Sequence, residues 1–452
     1  MSKSFRSPAL PRSPRYGFSD PSTTGHALFI VSLILLFAGI GCNALDRPSP
    51  RNPGSPSPPG DALSVQLGPR PFYLIDRLRP GTLREKLESC SEGPFRRSPF
   101  SIGHRGAPMQ FPEHTRESYL AAARMGAGVI ECDVTFTADR ELVCRHSQCD
   151  LATTTNILET PLAGRCSEGF SPAVFDPATQ TLSQQASARC CTSDLTLAEF
   201  RQLEGRMDAS NPHATTVSEF LEATPRWRTD LYANGGTLMT HQDSLELFET
   251  LGVAMTPELK SPEVEMPFEG DYEQRDYARQ LLEAYRGAGI PPERVFFQSF
   301  DPEDIRYWLE VASEYGAQAI LLVGEDPHAP VPSQGHFDAL YSEGFRTIAP
   351  PISALLRVDE HGALRASEYA QRAQTAGFAI VAWSAERSGR IRDGRVEGRA
   401  RDFYLGPILS ALDDDGDLFR VIDALVQEVG IVRLFSDWPA SSTYYANCFG
   451  LD

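Results

Sequence analysis

The segment GVIECDVTFT, residues 128–137, has the pattern of a buried β-strand that carries two carboxylates. Successive side chains of a strand point to opposite faces, so Glu131 and Asp133 share one face and the apolar residues around Cys132 share the other. We expect the apolar face to pack on helices and the two carboxylates to point into a barrel near the carboxyl end of a strand. Active sites of α/β barrels lie at that end.

Seven further apolar runs extend this pattern along the chain. Amphipathic stretches lie between several of them and end in a glycine, which is a common signal for the end of a helix. Strands that alternate with helices predict an α/β fold, here a (β/α)8 TIM barrel. The eight predicted strands are 101–104, 128–137, 253–260, 295–300, 319–323, 346–351, 379–384 and 431–439.

One interval breaks the regular spacing of these strands. Roughly a hundred residues separate the second strand from the third, and the polar segment 147–250 contains CCTSDLTLAEFRQL and further cysteines. Long excursions from a compact domain are usually functional. We therefore predict a polar, cysteine-containing insertion between strands 2 and 3, at the mouth of the barrel.

The third strand, VAMTPELK, repeats the design of the second because Glu258 and Lys260 share one face. Three inward carboxylates, Glu131, Asp133 and Glu258, cannot all stay ionised together without a counter-charge. A hard divalent cation with oxygen ligands supplies that charge, so the pattern favours Ca²⁺ or Mg²⁺ over zinc. Arg105 and Lys260 would then bring the site to neutrality around a phosphodiester.

Two histidines complete the candidate site. His104 lies in GHRGAP, at the end of the first strand, and His146 lies in ELVCRHSQCD, on the returning arm of a predicted hairpin. Histidine is the usual general acid or base near neutral pH. One of them would activate the nucleophile while the other protonates the leaving group.

Composition narrows the class of protein. The chain has 452 residues, 41% of them hydrophobic and 23% charged, which excludes wholesale disorder and a multi-span membrane protein. Its formal net charge is −18, and an acidic chain repels nucleic acid, so we expect no nucleic-acid partner. The oligomeric state is left open.

The N-terminal part has the features of an export signal and a tether. Basic residues precede an apolar run at 27–40, which is short for a membrane span and is followed by Cys42. Residues 1–42 are therefore predicted to be a signal peptide, a lipoprotein leader lipidated at Cys42, or a single-span anchor. The segment 43–70 is a Pro/Ser-rich tether, and the barrel domain is predicted over 71–452. We expect an exported, periplasmic or extracellular protein with an optional membrane anchor.

Nine cysteines agree with an oxidising compartment. If Cys42 is lipidated, eight remain, and disulfides are expected among them. Cys132, in the middle of a strand, is predicted to be a buried thiol instead.

Taken together, HRGAP, PEHT, IECDV, LVCRH, TPELK and AWSAERSG resemble the glycerophosphodiester phosphodiesterase family, over 102–448. The resemblance implies an acid–base pair at His104 and His146 and phosphate contacts at Arg105 and Lys260. It further implies that Trp383 is an aromatic residue at the substrate and that a divalent metal binds Glu131, Asp133 and Glu258.

Two positions depart from the family pattern. His114 stands where PENT has asparagine, and Ser147 stands where an aspartate follows the second histidine. Both bear on substrate range more than on activity. Other polar residues have more local roles to choose from. Glu113 either caps a helix or hydrogen-bonds inside the barrel mouth, and Gln298 either contacts the backbone or meets the substrate. His241 is expected in packing or at the surface, and Asp437 as a helix N-cap.

The resemblance implies hydrolysis of a small glycerophosphodiester to glycerol 3-phosphate and an alcohol. Whether water attacks directly or a glycerol hydroxyl first forms a cyclic phosphate stays open. The alternatives are a phospholipase D-like or phosphatidylinositol-cleaving enzyme on the same barrel and a non-catalytic binding protein. A metal-free glycosidase is disfavoured by the histidine pair and the arginine.

Overall fold

The structure is a computed structural model that describes residues 64–228, 235–324, 330–396 and 403–451. The predicted leader, Cys42 and the tether up to residue 63 lie outside the described residues. From residue 64 onward the chain joins the barrel, since Leu67 is buried and the Gln66 amide donates to the carbonyl of Arg124. Across the described ranges, no helix combines the length and the apolar character that a membrane crossing needs.

Eight parallel strands form a closed barrel. Each pairs with the next along the chain, and the first also pairs with the last, so the sheet of barrel strands has no free edge. The predicted (β/α)8 fold is confirmed, and every predicted run contributes one strand. The strands are β1 (Ser98–Gly103), β2 (Ala127–Phe136), β3 (Ala254–Leu259), β4 (Gln298–Ser299), β5 (Ile320–Leu322), β6 (Thr347–Ala349), β7 (Ala379–Ala385) and β8 (Arg433–Ser436).

Helices surround the barrel and bury their apolar faces against it. Local signals set their ends: the Thr115 side chain caps the helix after β1, and Gly377, with a φ of 92°, ends the helix before β7. The helices are Arg70–Arg77, Thr82–Glu88, Arg116–Arg124, His241–Leu251, Gln274–Gly287, Pro292–Arg294, Pro302–Val311, Ser313–Gly316, Gln334–Ser342, Ile352–Leu355, Glu368–Ala376, Ile391–Val396, Gly406–Ala411, Asp417–Gln427 and Pro439–Phe449. A short hairpin, Leu356–Val358 and Leu364–Ala366, precedes Glu368–Ala376.

The apolar residues form separate layers inside and outside the barrel. Alternate residues of β2 follow the predicted division: Val129 belongs to the small inner cluster, whereas Ile130, Cys132 and Val134 pack in the large outer core. The inner cluster fills part of the barrel. The two strand carboxylates are therefore buried on the inner side, above that cluster.

The segment after β2 begins with a hairpin and continues as the predicted insertion. Leu142–Cys144 pairs antiparallel with β2, as expected, and a separate apolar cluster is built from the insertion. The helix His241–Leu251, at the end of 147–250, instead joins the outer core of the barrel through Leu245 and Phe248. His241 is buried there beside Tyr285, in the packing role that was one of the two expected. The elements before it are helices Leu151–Thr154, Ile157–Glu159, Pro161–Arg165, Thr192–Asp194, Leu197–Phe200 and Val217–Leu221 and strands Glu168–Ser171, Val174–Phe175, Leu182–Gln184, Ser187–Arg189, Glu204–Gly205 and Gly236–Thr237.

All eight cysteines in the described part of the chain form disulfides. The prediction of a buried thiol at Cys132 is wrong, because Cys132 bonds to Cys144 across the β2 hairpin. The outward-facing side chains of the two antiparallel strands meet there, which the spacing of twelve residues does not reveal. The remaining pairs are Cys90–Cys448, Cys149–Cys191 and Cys166–Cys190.

A buried carboxylate in the first turn of the helix Pro302–Val311 makes stability depend on pH. Asp304 accepts hydrogen bonds from Ser299 and Gln274, but burial raises its pKa to about 6. A carboxyl group whose pKa is higher in the folded state stabilises below the unfolded pKa, and this stability is lost as pH rises through about 4 to 6. We expect the free energy of unfolding of the wild type, relative to Asp304→Asn, to fall by on the order of 2–3 kcal/mol between about pH 4 and pH 7. Urea titrations of both proteins across this pH range measure the free energies of unfolding. A difference between the two proteins that does not change with pH would contradict the raised pKa of Asp304.

Candidate active site

The register between neighbouring strands brings the three carboxylates together. Asp133 on β2 lies directly beside Glu258 on β3, and Glu258 lies beside Gln298 on β4. Glu131, two residues before Asp133 on the same face, completes the group. One oxygen atom of each carboxylate lies within 4.8 Å of the others, and all three side chains are buried. The structure therefore brings together the three predicted metal ligands.

The pKa values of these carboxylates show an excess of negative charge. Burial, with Asp133 and Glu258 nearby, holds the pKa of Glu131 well above its ordinary value. Burial also raises the pKa of Glu258 to about 7, although its carboxylate pairs with the Lys260 ammonium at 2.6 Å. Asp133 differs, because nearby cations outweigh burial and lower its pKa. A divalent cation would relieve the repulsion within this group.

His114 is a polar neighbour of Asp133, and burial lowers the pKa of its imidazole. Its Nε2 lies 2.8 Å from Asp133 Oδ2 and its Nδ1 lies 2.9 Å from the Tyr119 hydroxyl. The residue that departs from PENT thus orients a predicted ligand, a role that sequence reasoning did not assign. The family comparison of PEHT with PENT marked the position, but only the fold shows its partner.

The turn after β1 positions His104 and Arg105. Arg105 has a φ of 53°, and at Gly106, with a φ of 92°, a Cβ atom would overlap the Ser118 side chain. This turn directs the Arg105 amide to Glu131 Oε2 at 2.8 Å. The glycine of HRG is therefore required by a close approach as well as by its backbone conformation.

His104 is held by a carboxylate from the other end of the chain. Its Nδ1 lies 2.5 Å from Asp437 Oδ1, and its Nε2 lies 3.9 Å from Glu131 Oε2. Burial lowers the pKa of His104, whereas Arg387 and His104 outweigh burial at Asp437 and lower the pKa of that carboxyl. An ionised carboxylate only accepts, so Nδ1 carries the proton and Nε2 is free to act as a base. The expectation of a helix cap at Asp437 is wrong, because Trp438 occupies the cap position.

Arg105 belongs to a network that reaches into the insertion. Its Nη1 donates to Glu113 Oε2 at 2.9 Å, so Glu113 is not merely a local cap. The Arg387 guanidinium lies 3.6 Å from the same Glu113 carboxylate. It also pairs with Asp437 at 3.3 Å and with Asp208, a residue of the insertion, at 2.7 Å. Sequence reasoning did not find Arg387 or Asp208, because a salt bridge across 179 residues has no local signal.

The predicted catalytic and substrate-binding residues line one cavity of about 310 Å³ with Glu131 and Glu258, whereas Asp133 lies beside Glu258 and is not among the lining residues. His146 faces the cavity, and burial together with Arg105 and Lys260 holds the pKa of His146 well below its ordinary value. Gln298 does more than contact the backbone, since its Nε2 donates to Glu131 Oε1 at 3.0 Å as well as to the Thr256 carbonyl. Trp383 donates its Nε1–H to the Ala349 carbonyl, which leaves a ring face for the cavity. The lining residues are His104, Arg105, Glu131, His146, Glu258, Lys260, Gln298, Phe300, Leu322, Trp383, Tyr404 and Phe435.

Comparison with known proteins gives a family match and several relatives. The model of the "Glycerophosphoryl diester phosphodiesterase family" matches residues 104–402. An "Extracellular protein" of Arthroderma benhamiae is 44% identical over 248 residues, 54% of this chain and 100% of the relative. A "Probable glycerophosphodiester phosphodiesterase 1" of Mycobacterium tuberculosis is 48% identical over 50 residues, 11% of this chain and 18% of the relative.

Solved structures are similar at low sequence identity. A putative glycerophosphoryl diester phosphodiesterase from Silicibacter pomeroyi is 18% identical and covers 81% of this chain and 97% of its own, with a TM-score of 0.46. An Oleispira antarctica phosphodiesterase in complex with the product sn-glycerol-3-phosphate is 17% identical and covers 77% of this chain and 96% of its own, with a TM-score of 0.45.

If the carboxylates bind a cation, the effect of Glu131→Gln on stability should differ with and without that cation. In chelator, Glu131→Gln should leave the melting temperature unchanged or raise it, because burial, Asp133 and Glu258 already oppose ionisation of Glu131. With Ca²⁺ or Mg²⁺ at a free concentration roughly 100-fold above Kd, the free energy of unfolding of the wild type should rise by about 2.7 kcal/mol. The free energy of unfolding of Glu131→Gln should rise little. The exposed Glu141→Gln is the matched control and should behave as the wild type. An equal cation-induced shift in Glu131→Gln would contradict the assignment of this residue as a ligand.

Proposed function

Because the chain belongs to the glycerophosphoryl diester phosphodiesterase family, we propose that it hydrolyses glycerophosphodiesters with a divalent cation and two histidines. The products are glycerol 3-phosphate and an alcohol. One observation carries the proposal: Glu131 and Glu258 of the buried carboxylate triad line a single cavity together with both histidines, Arg105 and Lys260.

The carboxylate group is suited to a hard cation. Its donors are all oxygen atoms, and Asp133 Oδ1 is buried with no hydrogen-bond partner among the described residues. Glu131, Asp133 and Glu258 would hold Ca²⁺ or Mg²⁺. When bound, such an ion supplies Lewis-acid polarisation of a phosphoryl oxygen.

The two histidines then divide the proton transfers. His104 has its Nδ1 fixed by Asp437, so Nε2 takes the proton of the attacking hydroxyl. His146 returns a proton to the leaving alkoxide, and a nearby phosphodiester anion would offset the cations that lower its pKa. Either water or the neighbouring glycerol hydroxyl can be the nucleophile in this arrangement.

Arg105 and Lys260 supply positive charge to the phosphoryl oxygens. Burial disfavours both charges, but Glu113 and Asp133 keep the pKa of Arg105 above its ordinary value, and Glu258 does the same for Lys260. Both side chains therefore stay cationic in a site of low dielectric, where each stabilises negative charge strongly. The ring of Trp383 forms an apolar wall for the glycerol carbons.

An extracytoplasmic location fits the chemistry of the chain. Four disulfides in the described residues are typical of secreted proteins, and the Arthroderma relative is named an extracellular protein. We propose that residues 1–42 direct export, with Cys42 as a lipidation site in the anchored form.

The proposal is tested by release of glycerol 3-phosphate from glycerophosphocholine with Ca²⁺, with Mg²⁺ and with chelator. We expect cation-dependent release that falls roughly 10²- to 10⁴-fold in His104→Ala and in His146→Ala, since each removes a proton-transfer group. His361→Ala, at an exposed histidine, is the matched control. Full activity in chelator would exclude the metal, and no release by folded protein would exclude the proposed reaction.

A second variant separates the orientation of His104 from binding. Asp437→Asn removes the carboxylate that fixes the imidazole, so we expect kcat to fall by roughly 10²-fold or more while KM changes little. Steady-state kinetics on glycerophosphocholine measure both constants. A change confined to KM would show that Asp437 acts on substrate binding instead.

A further inference from the structure

One carboxylate of the insertion reaches the residues of the candidate active site. Asp208 Oδ2 accepts a hydrogen bond from Arg387 Nη2 at 2.7 Å, and Asp208 Oδ1 lies 2.5 Å from Arg228 Nη2. We propose that Asp208 is a positioning residue of the reaction: through Arg387 and Asp437 it holds His104 in the orientation that proton transfer requires. The inference rests on the proposed function, because it gives the insertion a part in the same catalytic site.

The contacts from Asp208 to His104 form a continuous chain. Arg387 uses Nη2 for Asp208 and Nη1 for Asp437 Oδ2, the latter at 3.3 Å, and Asp437 Oδ1 contacts His104 Nδ1. Because a guanidinium group is planar and rigid, a fixed Nη2 also fixes the direction of Nη1. Asp437 therefore has one oxygen bound on each side, and its rotation away from His104 would break the contact with Arg387.

Arg387 lies among three carboxylates in a largely buried place. Its side chain is 18% exposed, and the carboxylates belong to Asp208, Asp437 and Glu113. Burial opposes the positive charge, but the three carboxylates, of which Asp208 acts most strongly, outweigh burial and raise the pKa of Arg387. Asp208 thus stabilises the cation that keeps Asp437 in place.

Asp208 also keeps Arg387 away from the carboxylate that binds Arg105. Arg387 Nη2 lies 3.6 Å from Glu113 Oε2, the oxygen that accepts a hydrogen bond from Arg105 Nη1 at 2.9 Å. Without the charge of Asp208, the two guanidinium groups would compete for Glu113, because each is a strong donor to a carboxylate. Arg387 would then turn from Asp437 toward Glu113, and His104 would lose its fixed partner.

The second arginine of Asp208 binds the turn that carries His104. Arg228 is 8% exposed, and its Nη2 donates to the carbonyl of Pro108, in the turn after β1. Asp208 therefore lies between one arginine that is bound to this turn and another that is bound to Asp437, directly after β8. Both segments that set the geometry of His104 meet at this carboxylate.

The insertion has other interactions that hold it together. Two disulfides, Cys149–Cys191 and Cys166–Cys190, and a separate apolar cluster stabilise it. Arg206 also pairs with Glu159 at 2.9 Å, and both residues belong to the insertion. Removal of the Asp208 charge should therefore leave the insertion folded, so that an effect on turnover can be separated from unfolding.

The test measures kcat and KM for glycerophosphocholine, using the full chain with Ca²⁺ or Mg²⁺. Asp208→Asn removes the charge at nearly unchanged shape and should lower kcat by about tenfold, with KM within about twofold of the wild type. Glu159→Gln is the matched control, because it breaks a salt bridge inside the insertion, and it should keep the wild-type kcat. Thermal melting of each variant, followed by circular dichroism, reports whether it is folded.

A second variant keeps the inference testable if Asp208→Asn does not fold. Arg387→Lys retains the buried positive charge, but an ammonium group lacks the rigid fork that contacts Asp208 and Asp437 together, so kcat should fall by a similar factor. Adding Asp208→Asn to Arg387→Lys should change kcat by less than about twofold, since the chain of contacts is already broken.

The outcomes separate the inference from the proposed function. An unchanged kcat in folded Asp208→Asn or Arg387→Lys, or losses that multiply in the double variant, would overturn the inference alone. A change confined to KM would also overturn it, because Asp208 would then act on substrate binding. Failure of the wild type to hydrolyse glycerophosphocholine would instead overturn the proposed function.

Discussion

Mutual repulsion among three buried carboxylates is the constraint around which the site is organised. The register of β2 against β3 places Asp133 beside Glu258, and strand alternation adds Glu131 on the same face. Burial removes the water that would screen these charges. Polar neighbours offset this repulsion. Lys260 pairs with Glu258, His114 contacts Asp133, and the Arg105 amide donates to Glu131.

Charged residues around this centre connect it to distant parts of the chain. Asp437, at the end of β8, fixes the tautomer of His104, and Arg387 links Asp437 to Asp208. Asp208 comes from the insertion between β2 and the helix His241–Leu251. The insertion therefore contributes to the electrostatics of the site as well as to its surroundings.

Local sequence patterns were sufficient for the strands and for the first set of site residues. Glu131 and Asp133 could be placed on the inner face because a strand has a period of two, and His104 could be placed at a strand end because HRG requires a sharp turn. The same local reasoning failed at Cys132 and Asp437. The disulfide of Cys132 and the contact of Asp437 with His104 depend on which strand lies beside which. The sequence of a single strand does not show that.

The sequence by itself thus determined the alternation of strands and helices, the strand face that carries the carboxylates and the placement of His104 at a strand end. Periodicity and turn chemistry, on which these depend, are local properties. Only the tertiary structure decided which groups meet. The pairing of Asp437 with His104 joins residues 333 apart, and the salt bridge of Arg387 with Asp208 joins residues 179 apart. Such contacts depend on barrel closure and strand register, which arise from the packing of the whole chain.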